Sequence, residues 1–554
     1  MDNLSWINAY RAEYGRRPRV LHIGNIANNA YNNAKLLIEV GLECDVICYD
    51  YYHIMGTPEW EDADFTDSKI DQSYPNWASI NLNGFKRPEW FVQGPLNLCL
   101  DYLLAKNGGD EVTSLNIWKK LSEINRTKVT SKTRVIQGNF KSFLKKITTA
   151  FSRKNMYLAS KRLDIFLYVL KPNNIMFYVY FAYFLVFINI LFVVNIFKFI
   201  FNSRYHRNDI GLDNQLRQIL KLINDSQNSI FPLLNKPIFP HELLTSIDIK
   251  NFYKWKEIFL NYDVIIAYST DGIYPLVANT PYIAFEHGTL RDLPYQETLQ
   301  GKLCAVTYSM ANHVFVTNFD CKKSAEFLAP SKYSLINHPF DENHSDGILG
   351  ADGLRNKLLE ELDSDFLFFF PTRHDWVEGA GYADKANDTF LNAFGRLRTM
   401  GYRVGMVCCD WGQNVNSSKE ILSKFNAEKY VHWREPMATI AFERTALACD
   451  CVVDQFKLGS FGGILFKAMA AGSPVMTYLN EEMIADQFSE APPVINCKNE
   501  QDIIESVKSL YGGPELIGIL GKKSQEWIRK HHSKKDVVNL QLTQFKLLMQ
   551  HKLM

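Results

Sequence analysis

The strongest constraint on this chain is a strand–loop–helix–strand opening close to its start. Arg19-Val20-Leu21-His22-Ile23 is a short apolar run ending at Gly24. Asn28 to Val40 follows with Ala30, Ala34, Leu37 and Ile38 at helical spacing, and Gly41 supplies a stop. Cys44 to Tyr49 is a second apolar run. Two short strands joined through a helix predict a parallel sheet, because a parallel pair needs a long crossover. The loop Gly24-Asn25-Ile26-Ala27-Asn28-Asn29 lacks GxGxxG, so a nicotinamide or flavin dinucleotide site is not expected.

The pattern resumes at Asp263 to Tyr268, Tyr282 to Phe285 and Val314 to Thr317. A second βα series starts at Phe366 to Phe370. It runs on through Val404 to Cys408, Val431 to Trp433, Cys451 to Val453, Val475 to Tyr478 and Val494 to Asn496. The fold class predicted is α/β, with two Rossmann-like domains facing a central cleft. The first spans 1–340 and carries an insertion at about 100–245; the second spans 341–525; a helical tail, 526–554, folds back across them. With 554 residues, nearly half of them apolar, the chain can bury cores for two domains. A ligand belongs between the domains, at the carboxyl ends of both sheets.

Other classes are set aside on charge and cysteine usage. A formal net charge of +1 argues against a dedicated nucleic-acid binder. The ten cysteines form no CxxC pair, and most sit inside apolar runs. Buried reduced thiols, and hence the cytoplasm, are the expectation. Met1 to Tyr10 shows no basic stretch followed by an apolar one, so no signal peptide is expected there.

The middle of the chain departs from this pattern. Arg126 to Arg162 holds many Lys and Arg and no acid. Phe140, Phe143, Leu144, Ile147, Phe151 and Leu158 recur there at helical spacing between basic residues. That is the composition of a helix lying in an anionic membrane surface. Between Lys171 and Lys198 no ionisable Asp, Glu, Lys, Arg or His occurs, and 175–197 is long enough to cross a bilayer. A single crossing would separate strands that share one sheet. The segment is therefore expected to lie in the interface, to re-enter, or to pack as a buried or dimer helix, on the cytoplasmic face.

Chemistry concentrates in the second series. Pro371-Thr372-Arg373-His374-Asp375-Trp376 follows a strand directly, and Lys385 opens the next helix. Arg373 and Lys385 suit a pair of phosphates. Asp454-Gln455, then Gly459-Ser460-Phe461-Gly462-Gly463, then Ala468-Met469-Ala470-Ala471-Gly472-Ser473-Pro474-Val475 describe a strand end, a glycine-rich turn and a helix leading to the next strand. Such a turn brings backbone N–H groups close to an anion. No metal-ligand set stands out, and no cofactor is expected. Tyr51-Tyr52-His53, Trp60 and Trp77 offer either an aromatic acceptor wall or ordinary loop packing. The acidic run Glu59 to Asp64 reads as a solvated loop.

Ser460-Phe461-Gly462 followed by Ala468-Met469-Ala470-x-Gly-x-Pro-Val resembles the donor-site signature of family 4 retaining glycosyltransferases of GT-B fold. The resemblance covers roughly 18–60 and 262–550. It implies transfer of a hexosyl or related sugar from a nucleotide-sugar donor, with retention and without metal. Arg373 and Lys385 match the family's pair on the donor diphosphate, beside Ser460, Phe461 and Gly462. Glu286-His287-Gly288 is similar to the family's His-Gly, which places His287 at the reaction centre as the catalytic candidate. Gly24, Asn25 and Asn29 match the loop lining the acceptor side. One departure is plain. The family's two glutamates fall on Gly459 and Lys467. An ammonium only donates, so Lys467 cannot accept from ribose hydroxyls. Asp454 or Gln455 is the expected substitute in the donor sugar and ribose region, with Lys467 free to meet a phosphate. With a membrane-touching insertion, the acceptor expected is a glycan or lipid-linked saccharide. The rival expectation is a catalytically silent GT-B scaffold in a membrane glycan-assembly complex.

Overall fold

The computed structural model describes residues 3–65, 70–126, 234, 251–377 and 384–553. The basic amphipathic and apolar stretches expected at about 140–204 lie outside the described residues. No helix among the described residues is long and apolar enough to cross a membrane.

Two parallel sheets organise the chain. The first has seven strands: β1 (Arg19–Ile23), β2 (Glu43–Tyr49), β3 (Phe91–Gly94), β4 (Val264–Tyr268), β5 (Ile283–Glu286), β6 (His313–Val316) and β7 (Tyr333–Leu335), in the order β3-β2-β1-β4-β5-β6-β7. Val20 faces Cys44 on one side and Val264 on the other, so β1 is an interior strand of the sheet. That is why Val20, Leu21 and Ile23 are apolar without alternation: helices cover both faces. The second sheet has six strands: β8 (Phe366–Phe370), β9 (Val404–Cys409), β10 (Val431–Arg434), β11 (Cys451–Val453), β12 (Val475–Thr477) and β13 (Ile495–Asn496), in the order β10-β9-β8-β11-β12-β13. The consecutive phenylalanines of β8 serve both faces by the two-residue period of a strand. Phe366, Phe368 and Phe370 enter one core, and Leu367 and Phe369 enter the other.

In each sheet the strand order reverses once, between β1 and β4 and between β8 and β11. Crossovers leave toward opposite faces at such a point, and a crevice opens at the carboxyl ends of the two strands. The Gly24 loop follows β1 and Ser269-Thr270-Asp271 follows β4. Pro371 to Asp375 follows β8, and Asp454 to Gly463 follows β11. The reversals thus put the Gly24 loop at one crevice and Pro371 to Asp375 with Asp454 to Gly463 at the other. This two-lobed Rossmann-like arrangement is the GT-B fold.

The chain passes between the lobes twice. It leaves the first after β7 through 336–345, where Phe340 packs with the second lobe's core. The helix Glu515–His531 lays Trp527 and Ile528 on that same core. The helix Lys534–Leu553 then returns to the first lobe, adding Val537, Val538, Leu542, Phe545 and Leu548 to its interior. All ten cysteines are buried and free.

Candidate active site in the cleft between the lobes

On the first lobe, Gly24 has φ +90°, and a Cβ there would lie 2.2 Å from Oδ2 of Asp271. Only glycine lets the loop pass this carboxyl group. Asp271 accepts from the Tyr49 hydroxyl, and burial pushes its pKa up to about 7 against that hydrogen bond. Asn25 is buried and hydrogen-bonded through both ends of its amide. Its amide donates to Asn28 Oδ1 and to the Gly56 carbonyl, and its oxygen accepts from the Tyr31 N–H. Asn29 donates to the Ile26 carbonyl and borders the cleft.

His287 stands just past β5. Glu286, wholly buried, accepts from the Gly288 N–H and so holds the turn that presents the ring. Burial raises the Glu286 pKa, partly offset by that hydrogen bond. Both nitrogens of His287 are buried without a hydrogen-bond partner of good geometry. Burial lowers its pKa to about 4, against the pull of the nearby Phe285 carbonyl, so the ring is neutral at pH 7.

On the second lobe, three segments meet at the ends of β8 and β11. The Lys385 N–H donates to the Asp375 carbonyl at 2.9 Å, and the Phe456 N–H to the Lys385 carbonyl at 3.0 Å. The Thr372 hydroxyl reaches the Asp454 carbonyl and carboxylate. Asp454 lies beside Gly462, where a Cβ would sit 3.5 Å from its Oδ2. Burial raises the Asp454 pKa, and the Lys385 ammonium opposes that rise. Arg373 is paired with Asp375 and lies over the Trp411 ring. Gly459 has φ +72° and its carbonyl accepts from the Asn480 N–H. Gln455 accepts from the Lys457 and Leu458 N–H groups and so shapes the turn. Ser460 is buried at the turn. The Phe461 ring points into the core against Phe488, Trp527 and His532, which leaves only its backbone for a ligand.

Between the lobes lies a cavity of about 420 Å³, within the usual range for small-ligand sites. Asn29 and His287 line it from the first lobe, and Trp411, Met437, Gly463 and Lys467 from the second. Arg373, Lys385, Asp454 and the Gly459–Gly462 turn are not among its lining residues.

Lys467 is engaged across the cleft. Its Nζ lies 3.0 Å from Glu61 Oε1 and 3.1 Å from the Thr439 hydroxyl. The Thr439 hydroxyl and the Asn32 amide both donate to Glu61 as well. Burial alone would raise the Glu61 pKa. Lys467, through charge and hydrogen bond, together with Lys35 and His344, brings it down to about 2. The acidic run is therefore not a solvated loop. Glu59 and Glu61 lie on the helix Pro58–Asp62 and are buried, and Glu59 is bridged by Arg87. Trp60 and Trp77 pack in a small apolar cluster with Ile54 and Phe65, although Trp60 also borders the cleft. Burial lowers His374 to about 4; its Nδ1 is bonded to Ser418, and it lies under Trp433. Glu61, Thr439, Trp411 and His338 belong to the site and were not singled out from sequence. No group of His, Cys, Asp and Glu fit to hold a metal ion occurs among the described residues.

Fold and cleft together define a two-lobed α/β protein with a cavity between its lobes. No family profile matches the chain, and no curated protein matches it. Among solved structures it is similar to HepE of Anabaena in complex with UDP and glucose, at 14% identity over 53% of this chain and 80% of that one, with a TM-score of 0.43. S. aureus TarM, solved with Fondaparinux, alpha-GlcNAc-glycerol and UDP, gives 13% identity over 53% and 59%, with a TM-score of 0.40. Sucrose-phosphate synthase from Thermosynechococcus elongatus gives 13% over 57% and 81%, with a TM-score of 0.39.

Proposed function

We propose that this protein is a glycosyltransferase that moves a sugar from a nucleotide-sugar donor to a glycan or lipid-linked saccharide, with retention and without a required metal. The observation supporting this reading is that the segments of Thr372–Asp375, Lys385 and Asp454–Gly462 come together at the ends of β8 and β11, in a lobe that shares a cavity with His287. A departing diphosphate needs positive charge and free N–H donors. A guanidinium, an ammonium and a helix start supply these from one lobe. The neutral imidazole of His287, in the cavity lining on the other lobe, can donate to the sugar or accept from it without repelling a developing oxocarbenium charge. The basic and apolar stretches at about 140–204 suit work at the cytoplasmic face of a membrane.

A second reading has its own observation. Lys467 and Gly459 stand where the resembling family has glutamates, and Lys467 is bound to Glu61 rather than left open to ribose. A silent scaffold in a glycan-assembly complex would tolerate that. Release of nucleoside diphosphate from a panel of nucleotide sugars, with and without lipid-linked saccharides, separates the two. Transferase activity that falls about a hundredfold or more in Arg373→Ala supports the enzyme. No turnover of any donor, with partner binding unchanged in Arg373→Ala, supports the scaffold.

A further inference from the structure

His338 lies in the first passage between the lobes, and its ring lines the same cavity as His287. Its Nε2 is buried and has no hydrogen-bond partner. The ring is not loose. It stacks on Phe466 at 5.3 Å with planes 22° apart, and Phe466 stacks in turn on His532 at 4.9 Å and 21°. Phe466 belongs to the helix Gly463–Ala470, which starts from the donor-side turn. A fixed imidazole with an unanswered nitrogen, in a ring that borders a cavity with Pro339, Phe340, Met437 and Phe442 among its walls, is built to meet a polar group from outside the chain.

Which group it meets follows from charge and place. Burial pushes the His338 pKa down to about 3, with His287, Arg291 and Lys467 adding to the effect. Asp341, Glu342, Glu61 and Glu443 are acids near this passage; Asp341 and Glu342 are engaged by Lys534, the latter through its backbone N–H, Glu61 by Lys467 and Glu443 by His344. A neutral ring suits a hydroxyl, which both donates and accepts, better than a phosphate, which calls for cations. Lys467, the cation in the cavity's lining, is already engaged by Glu61, and Arg373 and Lys385 are not among the lining residues.

Resting on the glycosyl-transfer reading above, we propose that His338 pairs with His287 to hold hydroxyls of the transferred sugar, and that it determines which sugar the cleft accepts. The test is calorimetric titration of the full chain with three matched pairs: UDP and UDP-glucose, GDP and GDP-mannose, ADP and ADP-glucose. His338→Phe keeps the stack on Phe466 and removes the nitrogen. For the pair that the wild type binds, it should weaken the nucleotide sugar about tenfold while leaving the free diphosphate within about twofold. His338→Gln, whose amide reaches about as far as Nε2, should recover part of that loss. Equal weakening of sugar-bearing and free diphosphate would make His338 structural and overturn the proposal. So would an unchanged preference in His338→Phe, and either result leaves the donor reading intact. Failure of the wild type to bind any pair overturns the donor reading and this proposal with it.

Discussion

At the scale of single residues, the contact between Glu61 and Lys467 ties the two walls of the cleft together. Both side chains are mostly buried, at 10% and 21% exposure. Removing one partner strands the other charge away from water. Lys467→Met should therefore cost about 3 kcal/mol in chemical denaturation, the low end for a buried pair, because Thr439 and Asn32 still answer Glu61. The pH dependence has a definite sign. The Glu61 pKa is depressed in the folded protein to about 2, below the unfolded value of about 4.3. Its stabilisation is thus complete above about pH 5 and is lost as the pH falls through about 2. Glu61→Gln should flatten the acid limb of a stability profile between those limits. An acid limb as steep as in the wild type would mean that the pair does not form. None of this was legible beforehand. A lysine where a family keeps a glutamate is visible in the sequence. That its partner is an acid some 400 positions away, in a run that looks solvated, depends on how the lobes close.

At the scale of elements, the sheets were largely legible because their strands are short, apolar and punctuated by helices with a clear period. β8 and β11 fall where the apolar runs predict. β3 and β7 went unseen for a physical reason. Phe91–Gly94 carries a glutamine that answers the Tyr51 carbonyl. Tyr333–Leu335 is a half-exposed edge strand whose polar middle breaks the pattern. The helix Glu515–His531 shows the same limit, since its glycines look alike in sequence. A Cβ on Gly518 meets nothing, whereas one on Gly521 would fall 2.1 Å from the Gly472 carbonyl oxygen, on the turn that leads into β12. Alanine should therefore act with opposite sign at the two sites. Gly518→Ala should stabilise by up to about 1 kcal/mol through helix propensity. Gly521→Ala should destabilise by about 1–3 kcal/mol, because backbone must move. Thermal unfolding of the pair checks this, and equal shifts would show that the helix does not rest on that turn.

At the scale of the whole molecule, the two lobes are not independent beads. The helix Lys534–Leu553 belongs by sequence to the end of the second lobe and by packing to the first. Five of its apolar side chains enter the first lobe's core, and Gln541 donates to Asn33 at 2.8 Å. Burying them is worth on the order of 10 kcal/mol as an upper bound, which is comparable to the whole stability of a typical domain. A chain ending at Ser533 should therefore lose the fold of the first lobe while the second, with its own two cores, keeps its structure. Limited proteolysis should then cut within 19–126 and 251–335 and spare 366–530. A single change grades the effect: Phe545→Ala should cost about 3–4 kcal/mol from the cavity it leaves. The consequence reaches the cleft. Asn33, the partner of Gln541, lies on the helix Asn29–Glu39, which begins at the Gly24 loop and carries Asn32 to Glu61. Loosening the returning helix should thus impair ligand binding before it unfolds the donor side. Phe545→Ala should weaken nucleotide-sugar binding at temperatures where the second lobe is still fully folded. Unaltered binding up to a single common melting point would show that the helix only adds stability.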